Sequence, residues 1–273
     1  MKIHHLSCGT LCPRFRRWLQ GDGGFFARAG IVCHCLLVET DAAGLVLVDT
    51  GLGLQDVRNP VERIGAIRHL MKPVLDEERT ARRQVEAMGF DARDVRHIVL
   101  THLDFDHAGG LTDFPEAKVH LLADEKNAAL DPPTKAEKRR YRQLQWDHDP
   151  IWRSYEPGGE PWRGFEVVRD LDGLPPEILL LPMPGHTRGH TAVALDTGAE
   201  GWLIHAGDAY FYRGEMEQPP SCTGGFRFFQ KAAAIDHEER LANLERLREL
   251  RYGHEDVQVF SAHDPAELAA LAG

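Results

Sequence analysis

Thr101-His102-Leu103-Asp104-Phe105-Asp106-His107-Ala108-Gly109-Gly110 is the stretch on which the reading of this sequence turns. A short apolar run, Ile98-Val99-Leu100, precedes it and reads as a buried strand. Four groups able to ligate a metal then fall within six residues. On an extended backbone His102 and Asp104 share a side. Asp106 and His107 are adjacent, so both reach that side only if the chain turns. The Ala-Gly-Gly that follows permits such a turn. One strand end can therefore serve two neighbouring ions, and such a pair sits roughly 3.5–4 Å apart around a bridging hydroxide.

Three later segments repeat the arrangement. Pro184-Gly185-His186-Thr187-Arg188-Gly189-His190-Thr191 follows the apolar run 178–181. His205-Ala206-Gly207-Asp208-Ala209 follows 202–204, and Ser261-Ala262-His263-Asp264-Pro265 follows 257–260. Each places a His or Asp at the end of a strand, where loops gather along one edge of a layered fold. The other histidines show no ligand pattern. His190, four residues past His186, reads as a supporting group.

Elsewhere, residues 31–38 and 45–48 read as an antiparallel hairpin across an Asp-Ala-Ala-Gly turn. The second of these strands runs into Asp49-Thr50-Gly51-Leu52-Gly53. Residues 80–88 read as a helix stopped by Gly89, 119–122 as a strand followed by a helical 123–130, and 165–168 as a further strand. Residues 235–251 read as a charged amphipathic helix with Leu241, Leu244 and Leu247 apolar at spacings of three. The segment 131–162 lacks periodicity yet holds Trp146, Trp152 and Trp162, and reads as an insertion or lid. With no internal repeat or linker, residues 1–273 are expected to form one domain. Interspersed strands and helices predict an α/β sandwich with sheets inside and helices outside.

Composition narrows the classes. Across 273 residues, 32 basic against 42 acidic side chains leave a net charge of −10, which disfavours a nucleic-acid binder. No apolar run is long enough to span a membrane. The N-terminal stretch lacks a signal peptide's apolar region, so a cytoplasmic protein is expected. Cys8, Cys12, Cys33, Cys35 and Cys222 are odd in number and poorly spaced for zinc, and read as reduced packing thiols.

His102-Leu103-Asp104-Phe105-Asp106-His107 resembles the H-x-H-x-D-H signature of the metallo-β-lactamase superfamily. VDTGLG at 48–53, PGHTRGHT at 184–191, HAGD at 205–208 and AHDP at 262–265 match that superfamily's other motifs in order. The resemblance spans nearly the whole chain. It implies an αββα sandwich of two mixed β-sheets flanked by helices, with two divalent metals at the edge between the sheets. Carried over by position, His102, Asp104 and His186 would hold the first ion. Asp106, His107 and His263 would hold the second, with Asp208 bridging. Asp49 would orient ligands rather than bind metal. Zinc is the expected metal, with iron or manganese as alternatives.

Asp104 departs from the pattern, since the family has a histidine there. A carboxylate can still ligate zinc at roughly 2.0–2.2 Å. Its added negative charge is expected to lower the first ion's Lewis acidity, and Asp104→His to strengthen zinc retention.

The resemblance further implies a hydrolase whose metal-bridging hydroxide attacks a scissile carbonyl, with Asp106 taking a proton as the leaving group departs. In acyl-lactone hydrolases of the superfamily a tyrosine shortly after the bridging Asp steadies the oxyanion. Tyr210 and Tyr212 are the candidates here, although they flank the expected position and Phe211 occupies it. The lack of a leader disfavours a secreted β-lactamase. Only ten residues follow His263, which disfavours a glyoxalase-II-like thioesterase with a helical substrate domain. The nucleases' inserts are missing. What remains is hydrolysis of a small ester or lactone as the small-molecule substrate. The alternatives are a phosphotriester or phosphodiester hydrolase, or a non-hydrolytic redox diiron or metal-binding protein on the same fold. The segment 131–162, with its three tryptophans, is expected to cover an apolar substrate, or else to form the contact of a homodimer or a packing flap.

Overall fold

Along residues 31–39, Leu36 and Val38 face one apolar cluster while Cys35 and Leu37 face another. The same alternation runs through Val46 and Val48 against Leu45 and Leu47, and through Ile178 and Leu180 against Leu179 and Leu181. A period of two with both phases apolar is the pattern of a strand covered on both faces. The fold follows from it. The computed structural model describes residues 1–272.

Among the described residues, ten strands make two sheets. The first contains β1 (Lys2–Leu11), β2 (Ile31–Glu39), β3 (Leu45–Val48), β4 (Val95–Val99), β5 (Lys118–Leu122) and β6 (Ile151–Tyr155), hydrogen-bonded in that order. β1, β2 and β3 are antiparallel, while β3 through β6 run parallel. The second contains β7 (Ile178–Pro182), β8 (Thr191–Asp196), β9 (Trp202–His205) and β10 (Val257–Phe260), in the order β10-β9-β8-β7. Only its β9–β10 pair is parallel. Leu36, Val46, Val99, Leu180, Val193 and Phe260 meet in the layer between the sheets. Each such fully buried side chain contributes roughly 1.5–3 kcal/mol. Ala81 and Val85 cover the outer face of the first sheet, and Leu244, Leu247 and Leu250 that of the second. This is the expected α/β sandwich of two mixed sheets flanked by helices. No described helix is long and apolar enough to cross a membrane.

Local expectations fared unevenly. The hairpin formed as read. The helix read at 80–88 forms over Ala81–Ala87, with the Thr80 hydroxyl accepting from Arg83 N. The helix His237–Gly253 buries Leu244, Leu247 and Leu250, but Leu241 lies exposed, because a spacing of three drifts by about 60° per step around a helix. Residues 165–168 make only isolated bridges, Trp162 with Phe165 and Val168 with Leu180, and bury by packing rather than pairing. β1 was not anticipated. The segment 131–162 is not an appended lid: it supplies the helix Lys135–Arg140 and the edge strand β6, and it buries Trp146 and Trp162 in two different cores. All five cysteines are free thiols.

Candidate metal centre

β3, β4, β7, β9 and β10 all deliver their following loops to one end of the sandwich. After β4 the chain passes Thr101 and enters the one-turn helix Phe105–Ala108, which begins at Asp104. His107 N and Ala108 N both donate to the Asp104 carbonyl, at 3.0 and 2.9 Å. That turn brings Asp106 and His107 round to the side already held by His102 and Asp104.

Three of the four candidate histidines are oriented from behind, and His186, whose buried Nδ1 has no partner, is not. Nδ1 of His263 donates to the Val32 carbonyl at 2.7 Å, which leaves Nε2 facing the centre. His107 Nδ1 lies 2.8 Å from an Asp49 oxygen. His102 Nδ1 meets the Thr101 hydroxyl at 2.9 Å, while its buried Nε2 has no hydrogen-bond partner. Asp208 follows Gly207, whose φ of +52° and position 2.7 Å (at a Cβ) from His190 Nε2 exclude a side chain. Asp208 N donates to that same His190 nitrogen at 2.9 Å, so His190 orients the Asp208 loop and stands outside both donor groups.

The structure gathers the expected residues into two donor groups, one of His102, Asp104, His186 and Asp208, the other of Asp106, His107 and His263. Asp208 faces both. Its Oδ2 lies 3.1 Å from His186 Nε2 and 3.7 Å from His102 Nε2. Its Oδ1 lies 3.0 Å from His263 Nε2 and 3.2 Å from His107 Nε2. Asp104 Oδ2 completes the first group at 3.3 Å from His102 Nε2 and 3.2 Å from His186 Nε2. Donors around a tetrahedral ion with bonds of about 2.0–2.1 Å are about 3.3–3.4 Å apart. The spacing and the unpartnered His102 nitrogen fit such ions.

The charges are arranged accordingly. Burial would raise the Asp49 carboxyl, but His107 beside it holds it down to about 2. Burial would lower His107, yet Asp208 and Asp49 carry it well above the ordinary histidine value. Asp104 is held well below the carboxylate range despite burial, chiefly by the Arg140 guanidinium.

A cavity of about 480 Å³ opens onto the centre and is lined by Asp104, Asp106, His186, Asp208 and His263. Its walls include Leu11, Ile31, Met71, Phe105, Phe211 and Phe229. None of the tryptophans of 131–162 lines it, which corrects the expectation that they would cover a substrate. Only that segment's helix and the residues just after it border the cavity. Neither candidate tyrosine lines it either. The Tyr210 hydroxyl points into the protein and donates to Glu267 Oε1 at 3.0 Å. Tyr212 packs beside Phe226, with the Arg213 guanidinium over its ring. Phe211, between them, lies against the centre, its ring 4.7 Å from that of His263.

Two contributors escaped the sequence reading. Glu125, fully buried, accepts from Leu103 N at 2.9 Å with one oxygen and from Gly189 N at 3.1 Å with the other. It thereby ties the loop of His102 to the loop of His186. The sequence does not single it out, because Asp124 stands beside it on the same helix and only burial separates the two. Arg140 forks onto Asp104 from the helix Lys135–Arg140, and no spacing in the sequence announces it.

The sequence profile described as "Metallo-beta-lactamase superfamily" matches residues 28–263. The chain belongs to the metallo-beta-lactamase superfamily. Within that superfamily it is 44% identical to a "probable metallo-hydrolase" of Mycobacterium tuberculosis over all of this chain and 83% of the relative. It is 26% identical to an N-acyl homoserine lactonase of Agrobacterium fabrum, covering 97% of this chain and 94% of that one. Among solved structures it resembles an N-acyl homoserine lactone hydrolase with the product N-hexanoyl-L-homoserine at its catalytic metal centre. That likeness has a TM-score of 0.74 at 22% identity and covers 98% and 95% of the two chains. The chain is thus a metallo-hydrolase of the metallo-beta-lactamase superfamily.

Proposed function

We propose that this metallo-hydrolase opens a small lactone or cleaves a small carboxylic ester, using two divalent ions, zinc in the first instance. His102, Asp104 and His186 hold one ion, Asp106, His107 and His263 the other, and Asp208 lies between. The observation that carries the reading is the placement of the two Asp208 oxygens, one toward each donor group, at the end of an apolar cavity. When bound, ions so placed supply Lewis acidity and a water that ionises near neutral pH.

The chain's own residues do the rest. Phe105, Phe211 and Phe229 with the aliphatic walls take up an acyl chain and exclude water. Each methylene so buried is worth about 0.8 kcal/mol, or up to about fourfold in binding. Asp106 lines the same cavity, and burial raises its carboxyl above the ordinary value. It is the group placed to take up the proton and pass it to the departing alkoxide. The lactonase relative supports the ester over the phosphoester class.

The test joins elemental analysis to a panel of lactones, aryl esters, phosphotriesters and thioesters. We expect about two ions per chain and highest kcat/KM on lactones or esters, rising with acyl length. His107→Ala and His263→Ala should abolish turnover while circular dichroism is unchanged. An ion count near zero, or turnover confined to phosphotriesters or thioesters, overturns the reading.

A further inference from the structure

Asp104 brings a carboxylate's charge to a position where the family has a neutral imidazole. The structure supplies a counterpart. Nε of Arg140 donates to Asp104 Oδ1 at 2.5 Å, and Nη2 to Oδ2 at 2.6 Å. Nη2 also lies 2.6 Å from His186 Nε2. Nη1 donates to the carbonyls of His186 and Ala233 at 3.0 and 2.7 Å. A guanidinium has five N–H groups, and here four are held by oxygens of Asp104, His186 and Ala233, while the fifth points at His186 Nε2, the lone pair an ion would take. The side chains of both Asp104 and Arg140 are only 15% exposed.

Two consequences follow from this clamp. Four of its five N–H groups are held by protein oxygens, so Arg140 is anchored to the protein rather than free to follow a substrate. Its fork also fixes the carboxylate plane, so that Oδ2 is presented to His102 Nε2 and His186 Nε2. A carboxylate oxygen has two lone pairs, and an arginine fork occupies one on each oxygen. The second lone pair of Oδ2 stays available to the centre. Conversely, a guanidinium held at this depth beside two cations is tolerable only with an anion in its fork.

Resting on the two-ion reading above, we propose that Asp104 and Arg140 act as one unit in place of a neutral histidine. Asp104 supplies the ligand oxygen; Arg140 cancels its charge and holds its orientation. Arg140 is a positioning residue for the first ion. This reverses the expectation drawn from the sequence for Asp104→His. With Arg140 in place, that substitution strands a cation beside the ion and weakens its binding.

The test counts zinc by elemental analysis and measures each ion's affinity by chelator competition. It compares the wild type, Asp104→His, Arg140→Gln and the double variant Asp104→His/Arg140→Gln. Asp104→His alone should lose the first ion, its affinity falling roughly 100-fold, while the second ion is kept and reports that the fold persists. The double variant should regain the first ion. The pair Asp104→Asn/Arg140→Gln, neutral but still hydrogen-bonded, should hold the first ion better than Asp104→Asn alone, and it settles the matter if the histidine variants fail to fold. Two ions held as tightly in Asp104→His as in the wild type, or no recovery in either double variant, overturns the proposal and leaves the two-ion reading standing. A wild-type count near zero overturns both.

Discussion

Asp49 and His107 are joined by a 2.8 Å hydrogen bond in which Nδ1 of the ring donates to the buried carboxylate. Thr101 secures Asp49 from the other side, its N–H and its hydroxyl each donating to one oxygen at 2.8 Å. The bond sets the tautomer and leaves His107 Nε2 to face Asp208 and His263. Groups behind a metal-binding histidine usually account for 10–100-fold in metal affinity. Asp49→Ala should therefore loosen the second ion by roughly that factor and the first by much less. Chelator competition on the two ions checks it; equal loosening of both would show that Asp49 merely supports the fold.

Phe211 presents an apolar ring to His263 and His186, at centroid distances of 4.7 and 6.0 Å. A hydroxyl added to this ring would enter the cavity that opens onto the centre, where the proposed reading places the substrate's carbonyl. An optimised oxyanion donor is worth about 10²–10³ in kcat, and one added to an unadapted site should give roughly tenfold. Phe211→Tyr is thus expected to raise kcat on lactones with little change in KM, as steady-state kinetics on both proteins will show. An unchanged kcat would mean that the added hydroxyl does not reach the substrate.

Glu267 gives a pH signature to stability. Burial pushes its carboxyl from 4.5 up to about 7, against hydrogen bonds from Ser261 N and the Tyr210 hydroxyl. The folded state therefore binds this proton more tightly than the unfolded state. Its contribution to stability falls as pH rises from about 4.5 through about 7, by on the order of 3 kcal/mol. Glu267→Gln keeps an acceptor for Ser261 and should remove this slope. Urea unfolding at pH 5 and pH 8 measures it, and identical slopes in wild type and variant would rule out Glu267 as the source.

The parts legible in sequence were those whose physics is local. His102, Asp106, His107, His186, Asp208 and His263 stand just past apolar runs, so strand periodicity alone points them to one edge. The hairpin of β2 and β3 was legible for the same reason, with a tight turn between two apolar strands. β1 and β6 were not, because edge strands carry mixed faces: Ile151–Tyr155 has no fully buried residue. Arg140 was out of reach altogether. Its meaning lies in a pairing with Asp104 across 36 residues, and an arginine in an aperiodic segment looks like any solvated cation. Tyr210 and Tyr212 were misleading in a related way. Proximity along the chain to Asp208 says nothing about which side chains the loop turns outward, and it turns Phe211.

The reach of Arg140 along the chain bears on when the centre is assembled. Its partners lie 36 residues before it, and 46 and 93 residues after it. The cost of closing such loops grows with their length, and contacts of this span form late. During synthesis Arg140 emerges long before Ala233 exists to hold it, and His263 comes later still. The first donor group closes with Asp208 after β9, and the second is complete only once β10 has docked and brought in His263. The apolar layers between and outside the sheets need no ion for their cohesion. In small zinc domains the metal drives folding; on the two-ion reading, loading would instead be the closing event for a chain whose apolar layers are already packed.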